Sequence, residues 1–281
     1  MGIYVLSVGT QLNDITLMRC GRAGRLALCG GMTSEQLQEA LTVDRYPRSS
    51  AYDAQWVVDN LMGPHPLWQV EALTQGMSLE PGMRVLDLGC GTALTSIFLA
   101  REYDVEVFAA DLWVKPTENW ERIKSAGLEG RVHPIYVDAR DLPFAADFFD
   151  AVVSIGSYHY FGTDARYLAD LSPVVKAGGS IGIVVPGLQL DPGAPLPPYL
   201  AEHWVPDFAT WFGPTWWRHH WERTGLVTVQ VADLVPTGWE DWLGWLEACN
   251  LVGRGSAPDE AMLRADGGKL LGLTRVVAQV R

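Results

Sequence analysis

Cysteine is scarce, with four in 281 residues at Cys20, Cys29, Cys90 and Cys249. None is spaced as a paired metal ligand and they make no disulfide framework, so a reduced, cytoplasmic residence is the expectation. The six histidines form no His-x-x-x-His or comparable set, which leaves a metal site without support. Positive charge is thin, with 21 Lys and Arg against 33 Asp and Glu and a net charge of -12. A chain this acidic lacks the main driving force for sequence-independent nucleic-acid binding, and no such partner is expected. Long apolar runs are missing too. Residues 3–8 are too short to span a bilayer, and Gln11, Asn13 and Asp14 interrupt them, so no transmembrane segment is expected. A hydrophobic content of 48% still allows a large core, in one elaborated domain or one domain with a small accessory unit.

The run Val85-Leu86-Asp87-Leu88-Gly89-Cys90-Gly91-Thr92-Ala93-Leu94 joins a buried strand, a glycine turn and a helix start. Its short apolar stretch ends in an acid, two glycines permit a sharp turn, and Thr92 is placed to cap a helix whose Leu94, Ile97 and Phe98 follow helical spacing. A strand, turn and helix of this kind holds a nucleotide-like ligand, although glycine turns also serve as plain tight connections. Two further segments bear on that choice. Residues 105–111 read as a strand ending in Asp111, roughly twenty residues past the glycines, where a carboxylate can accept both ribose hydroxyls. Residues 132–137 read as a third strand, followed by Asp138, which can accept from an adenine amino group. Three successive strand ends thus offer complementary groups to one adenosine. A dinucleotide fingerprint would want glycine at the sixth position of the loop, where this chain has Leu94.

Taken together, VLDLGCGTAL, VFAADL, VDARDLPF, FFDAVVSIGSYHYFG and LSPVVKAGGSIGIVV resemble, in order and spacing, the class I S-adenosylmethionine-dependent methyltransferases, over residues 84–185. The resemblance implies S-adenosyl-L-methionine as cofactor. It implies that Gly89 and Gly91 approach its amino acid portion, that Asp111 holds the ribose, and that Asp138, Ala139 and Arg140 flank the adenine. Asp87, Cys90, Leu112 and Ser154 complete the expected cofactor-binding set. Ala93 departs from the family, where a third glycine is common, and Ala177 departs where a Lys-Pro-Gly-Gly turn usually has proline. Small residues at these places still permit close helix–strand packing.

Residues 1–31 are expected to be a disordered or non-native extension, because Met32-Thr33-Ser34-Glu35-Gln36 reads as a fresh start with a capping box. Residues 53–62 and 67–77 read as two helices kept apart by Gly63-Pro64-His65-Pro66. In the resembled family such helices cover the cofactor, so residues 32–80 form an expected covering segment. Tyr52 or Trp68 can close over the ligand there, or simply pack in the core.

Residues 81–187 are the expected cofactor core. Past Val185, Pro186, Pro192, Pro195, Pro197 and Pro198 punctuate an irregular stretch. Eight of the 12 tryptophans follow: Trp204, Trp211, Trp216, Trp217, Trp221, Trp239, Trp242 and Trp245. Residues 215–224 suit one helix, and Thr237 with Glu240 has capping-box spacing for another. Residues 226–231 and 271–280 alternate as strands and would end the sheet as a last pair, the final strand antiparallel. The expected fold is therefore α/β, a Rossmann-like seven-stranded, mostly parallel sheet with N-terminal helices. Residues 188–281 supply a tryptophan-rich helical cap and the last two strands. The rings line a pocket for a large apolar or aromatic acceptor, or pack the cap onto the core.

The chemistry expected is in-line transfer from a sulfonium methyl, which needs an aligned nucleophile and exclusion of water. His159, in Ser157-Tyr158-His159-Tyr160-Phe161 past the fourth strand, stands where the resembled family faces its acceptor, as a general base or as a shaper of the pocket; Tyr160 is a pocket candidate beside it. No Asn-Pro-Pro-Tyr type motif, no Pro-Cys dipeptide and no second acid after the fourth strand points to amine-directed, cytosine-directed or metal-dependent catechol chemistry. A small-molecule or lipid-like acceptor remains, methylated on oxygen, nitrogen or carbon. Two alternatives stand beside this: a cyclopropane-forming or other lipid-modifying enzyme using the same cofactor, and a non-catalytic cofactor-binding interaction module.

Overall fold

Residues 85–88 are apolar on both sides of a strand apart from one acid, and such a strand belongs inside a sheet covered on both faces. In the computed structural model, which describes residues 32–190 and 193–281, it is β1 (Arg84–Leu88), with Val85 to Leu88 all buried. Parallel to it run β2 (Glu106–Asp111), β3 (Val132–Tyr136), β4 (Phe149–Ile155) and β5 (Val175–Leu188). The sheet closes with β6 (Val227–Leu234) and β7 (Leu271–Val280), in the order β3-β2-β1-β4-β5-β7-β6. Strand β7 is antiparallel to both its neighbours. The seven-stranded Rossmann-like sheet and its antiparallel last strand are as expected. The extension expected over residues 1–31 lies outside the described residues, as does Pro192.

Ten helices are found among the described residues. Ahead of the sheet lie α1 (Ser34–Ala40), α2 (Ala54–Asp59) and α3 (Pro66–Thr74). The Thr33–Gln36 capping box is present at α1. Helix α2 is shorter than expected because Asp53 caps it through Trp56 N–H and Asn60 leaves helical geometry. Between the strands come α4 (Leu94–Tyr103), α5 (Pro116–Ser125) and α6 (Tyr167–Leu171). The later part adds α7 (Pro198–Ala201), α8 (Pro214–Glu222), α9 (Gly238–Leu251) and α10 (Ala257–Asp266).

Two capping expectations fail. Thr92 does not cap α4; Ala93 takes the N-cap position at φ +61°, and the Thr92 hydroxyl donates to the Asn60 carbonyl at 2.6 Å. Thr237 makes no box with Glu240. It sits at φ +60° and donates to Pro236 O at 2.5 Å and Asp241 Oδ2 at 3.1 Å. Asp241 is buried, takes the Tyr46 hydroxyl at 2.9 Å and pairs with Arg45, so tertiary contacts from the N-terminal segment decide the start of α9.

The tryptophan-rich helical region packs its rings on both faces of the sheet. Strand side chains alternate between faces, and the rings divide with them. Trp217 and Trp221 of α8 pack with Tyr158, Ile181, Ile183 and Val185 on one side. Trp211, Trp242 and Trp245 pack with Leu73, Trp68 and Val184 on the other.

Candidate functional site

The loop after β1 is shaped by residues that can adopt positive φ. Gly89 at φ +74° and Cys90 both donate their N–H to Ala110 O, at 2.8 and 3.0 Å, which folds the loop back over the end of β2. A Cβ at Gly89 would fall 2.2 Å from Ser157 Oγ. Gly91, at φ +54°, leaves room for Met62 Sδ at 2.8 Å from where its Cβ would stand. No larger residue could bring the loop so close to its neighbours.

Two acids frame this loop. Asp87 is fully buried, and its Oδ2 accepts from Thr95 and Ser96 hydroxyls, each at 2.6 Å. Its Oδ1 is sealed from solvent and has no partner among the described residues. Burial pushes the carboxyl up to about 6, against the opposing pull of the two hydroxyls. Asp111, at the end of β2, accepts from Gly91 N–H at 2.8 Å on one oxygen and from Trp113 and Val114 N–H at 2.7 and 2.8 Å on the other. It therefore ties the glycine loop to the turn after β2. Asp138 stands past β3, accepts from Arg140 N–H at 2.9 Å and lies 3.8 Å from its guanidinium. The Ala139 carbonyl accepts from Tyr167 Oη at 3.0 Å.

Several residues around the loop have partners within the chain. The Ser154 hydroxyl is buried, donates to Leu88 O at 2.7 Å and lies 2.8 Å from Ser157 Oγ, so it braces the end of β1 from beneath. The Cys90 thiol is buried and burial raises its pKa well above the ordinary range, which makes it a packing group. Tyr52 and Trp68 do not lie over the loop as lids. Both are buried: Tyr52 packs between Trp56 and Phe98, and Trp68 stacks on His65 at 4.0 Å.

Beyond β4, Tyr158–Tyr160 form one 3-10 turn. His159 is buried, and burial holds its imidazole down at about 3. At neutral pH it is an uncharged ring and a weak base, which favours the pocket-shaping alternative over proton abstraction. Tyr160 is 37% exposed, and its ring lies 5.6 Å from that of Trp113, which is 60% exposed. The Tyr160 carbonyl accepts from the Arg140 guanidinium at 3.2 Å. Strand β1 lies between β2 and β4, so the Trp113–Tyr160 contact passes across the mouth of the glycine loop. Leu112 and Met62, about 40% exposed, add to an apolar rim there.

The structure thus brings Asp87, Gly89, Cys90, Gly91, Asp111 and Leu112 to one place, with Ser154 beneath them. Asp138, Ala139 and Arg140 flank that place, with His159 and Tyr160 opposite. Sequence reading missed Met62, Trp113, Asn119 and Ser157. Trp113 carried a signal, being an aromatic two residues past a strand-end acid; the others are set by tertiary contact. Among the described residues no group of three or more His, Cys, Asp or Glu could hold a metal, and no helix is long and apolar enough to cross a membrane.

A family model described as a methyltransferase domain matches residues 85–179. The chain is similar to a demethylmenaquinone methyltransferase of Clavibacter sepedonicus, 37% identical over 135 residues that are 48% of this chain and 53% of that protein. It is also similar to an O-methyltransferase of Pyrenophora dematioidea, 30% identical over 146 residues that are 49% of this chain and 54% of that protein. The chain thus spans about half the length of these curated relatives. In fold it matches the geranyl diphosphate C-methyltransferase of Streptomyces coelicolor A3(2), with a TM-score of 0.60 and 15% identity over 92% of this chain and 89% of that one. The glycine loop and the acids beside it lie on this sheet within the segment matched by the methyltransferase-domain model, residues 85–179.

Proposed function

We propose that this protein is an S-adenosylmethionine-dependent methyltransferase acting on a small, apolar or aromatic acceptor. The observation that carries this reading is the pair of acids about the glycine loop. Asp87 keeps one buried oxygen without a partner among the described residues, and Asp111 has both oxygens fixed by backbone N–H groups. These residues fit the cofactor: Asp87 Oδ1 suits an ammonium donor, and each Asp111 oxygen retains accepting capacity for a ribose hydroxyl. Bound S-adenosyl-L-methionine supplies an electrophilic methyl group. Gly89 and Gly91 give backbone close approach, Asp138, Ala139 and Arg140 flank the adenine side, and Leu112, Trp113 and Met62 exclude water. Residues 81–187 would form this core, residues 32–80 its covering layer and residues 188–281 the acceptor side.

His159 would orient the acceptor as a neutral ring and would not take up a full proton. His159→Ala is accordingly expected to lower turnover by less than about tenfold and to leave the shape of the pH profile unchanged from about pH 6 to about 9. A lost titration in that range would restore the base.

The apolar acceptor is supported by the exposed rim of Met62, Leu112, Trp113 and Tyr160, and by the names of the relatives, a demethylmenaquinone and a geranyl diphosphate methyltransferase. The same rim suits a lipid-like chain, which keeps the lipid-modifying alternative in view. Two buried free cysteines, Cys90 and Cys249, suit a reducing, cytoplasmic setting. Incubation with methyl-labelled cofactor and a metabolite extract, followed by mass spectrometry, is expected to yield a labelled small molecule. Cofactor uptake without any labelled product would favour a binding module.

A further inference from the structure

Gly91 is held on both of its peptide planes. Its N–H donates to Asp111 Oδ2 at 2.8 Å, and its carbonyl accepts from Asn119 Nδ2 of α5 at 2.9 Å. At a glycine with φ +54°, where many backbone geometries are open, these two bonds select one. Asn119 is 1% exposed, and Arg122 Nη1 donates to its Oδ1 at 3.0 Å, which leaves the amide nitrogen facing Gly91. Arg122 Nε also donates to Asn60 Oδ1 at 2.6 Å. Asn60, the C-cap of α2, accepts the Thr92 hydroxyl on its main-chain oxygen at 2.6 Å. The path returns to the loop one residue after leaving it: Gly91, Asn119, Arg122, Asn60, Thr92.

We propose that Asn119 and Arg122 are positioning residues for the cofactor, and that this closed ring orients the Gly91–Thr92 peptide for its reception. The proposal rests on the methyltransferase reading above. A trans peptide points its C=O and N–H to opposite sides, so holding the Gly91 oxygen towards α5 turns the Thr92 N–H away from it. Strand β2 fixes one side of the loop through Asp111, and α5 and α2 fix the other through this ring. The guanidinium makes two of the bonds charge-assisted, and removing Arg122 takes the donor away from the buried Asn119 Oδ1.

Titration calorimetry of the full chain with S-adenosylhomocysteine tests the proposal. Asn119→Ala and Arg122→Ala are each expected to raise Kd about tenfold or more. The double variant is expected to lose clearly less than the product of the two, because the members act as one unit. Thr92→Val removes only the hydroxyl and is expected to weaken binding several-fold with little change in Tm, and Thr92→Ser to restore the affinity. Unaltered affinity in a cooperatively melting Asn119→Ala chain, or in Thr92→Val, overturns the proposal, as do losses that multiply independently. If the unaltered chain takes up no S-adenosylhomocysteine, the methyltransferase reading falls with it; if it does, and Asn119 and Thr92 prove indifferent, only this inference falls.

Discussion

The loops after β1, β2 and β3 and the tryptophan-rich stretch after β5 were both candidates for ligand contact, and they are built by opposite means. In the first region the functional groups are few and polar, and backbone hydrogen bonds set them: Asp111 alone takes three main-chain N–H groups. In the second the groups are large and apolar, and five of the eight rings, Trp211, Trp217, Trp221, Trp242 and Trp245, are buried in the two cores. An abundance of aromatic surface therefore marks packing here, while the aromatics exposed at the loop mouth are the less conspicuous Trp113 and Tyr160. A ring's composition says that it wants burial, and only the strand face beneath it says where.

The sharpest way to break this contrast is Trp217→Ala. Trp217 is fully buried against Tyr158, Trp216 and His220. Its loss is expected to cost about 3–5 kcal/mol of stability by thermal or denaturant melts, while the chain that remains folded still takes up cofactor. Unchanged melting with lost uptake would move that ring from core to site. The opposite profile is expected of Asp111→Ala. Losing three charge-assisted bonds at the loop should weaken S-adenosylhomocysteine binding at least about a hundredfold by calorimetry, with a smaller shift in Tm than Trp217→Ala gives.

Asp87 sharpens the comparison by pH. Its folded carboxyl is raised to about 6 from 3.8, so between those values the folded chain holds more protons than the unfolded one. Stability is then highest below about pH 4 as far as this group is concerned, and is lost as pH rises through about 6. Asp87→Asn removes that charge, and is expected to add about 2–3 kcal/mol at pH 7 and to flatten the pH dependence of melting between about 4 and 6. Cofactor affinity should fall in the same variant. A residue that destabilises the fold and aids binding belongs to the polar region, and Trp217 does the reverse.

The same contrast explains what could be read in advance. The acids Asp87, Asp111 and Asp138 at or beside the ends of the first three strands were legible because a buried strand, a glycine turn and an acid near the strand end are local patterns. Caps were not. Thr92 and Thr237 have the right chemistry for N-caps, yet each hydroxyl serves a partner fixed elsewhere, Asn60 for one and Asp241 for the other. Trp68 and Tyr52 stood as core aromatics first and lids second, because an amphipathic pattern does not say which buried surface it meets. Asn119 had no local signal; its carbonyl partner lies 28 residues earlier in the chain.

The smallest expected effect is at Ala93, where the resembled family often has a third glycine. The residue occupies the left-handed region at φ +61° and its side chain is fully buried. Left-handed backbone costs a non-glycine residue about 1–2 kcal/mol, which Ala93→Gly would relieve. Glycine gives back roughly 0.5–1 kcal/mol in chain entropy, and removing a buried methyl loses about 0.8 kcal/mol. The opposing contributions nearly cancel, so Ala93→Gly is expected to change stability by less than about 0.5 kcal/mol and to leave cofactor affinity within about twofold. A loss of affinity well beyond that would mean that the strained alanine itself holds the loop open for its ligand. Near-neutrality would mean that hydrogen bonds from Asp111 and Asn119 already fix the backbone, so that a methyl group can stand where a third glycine is common.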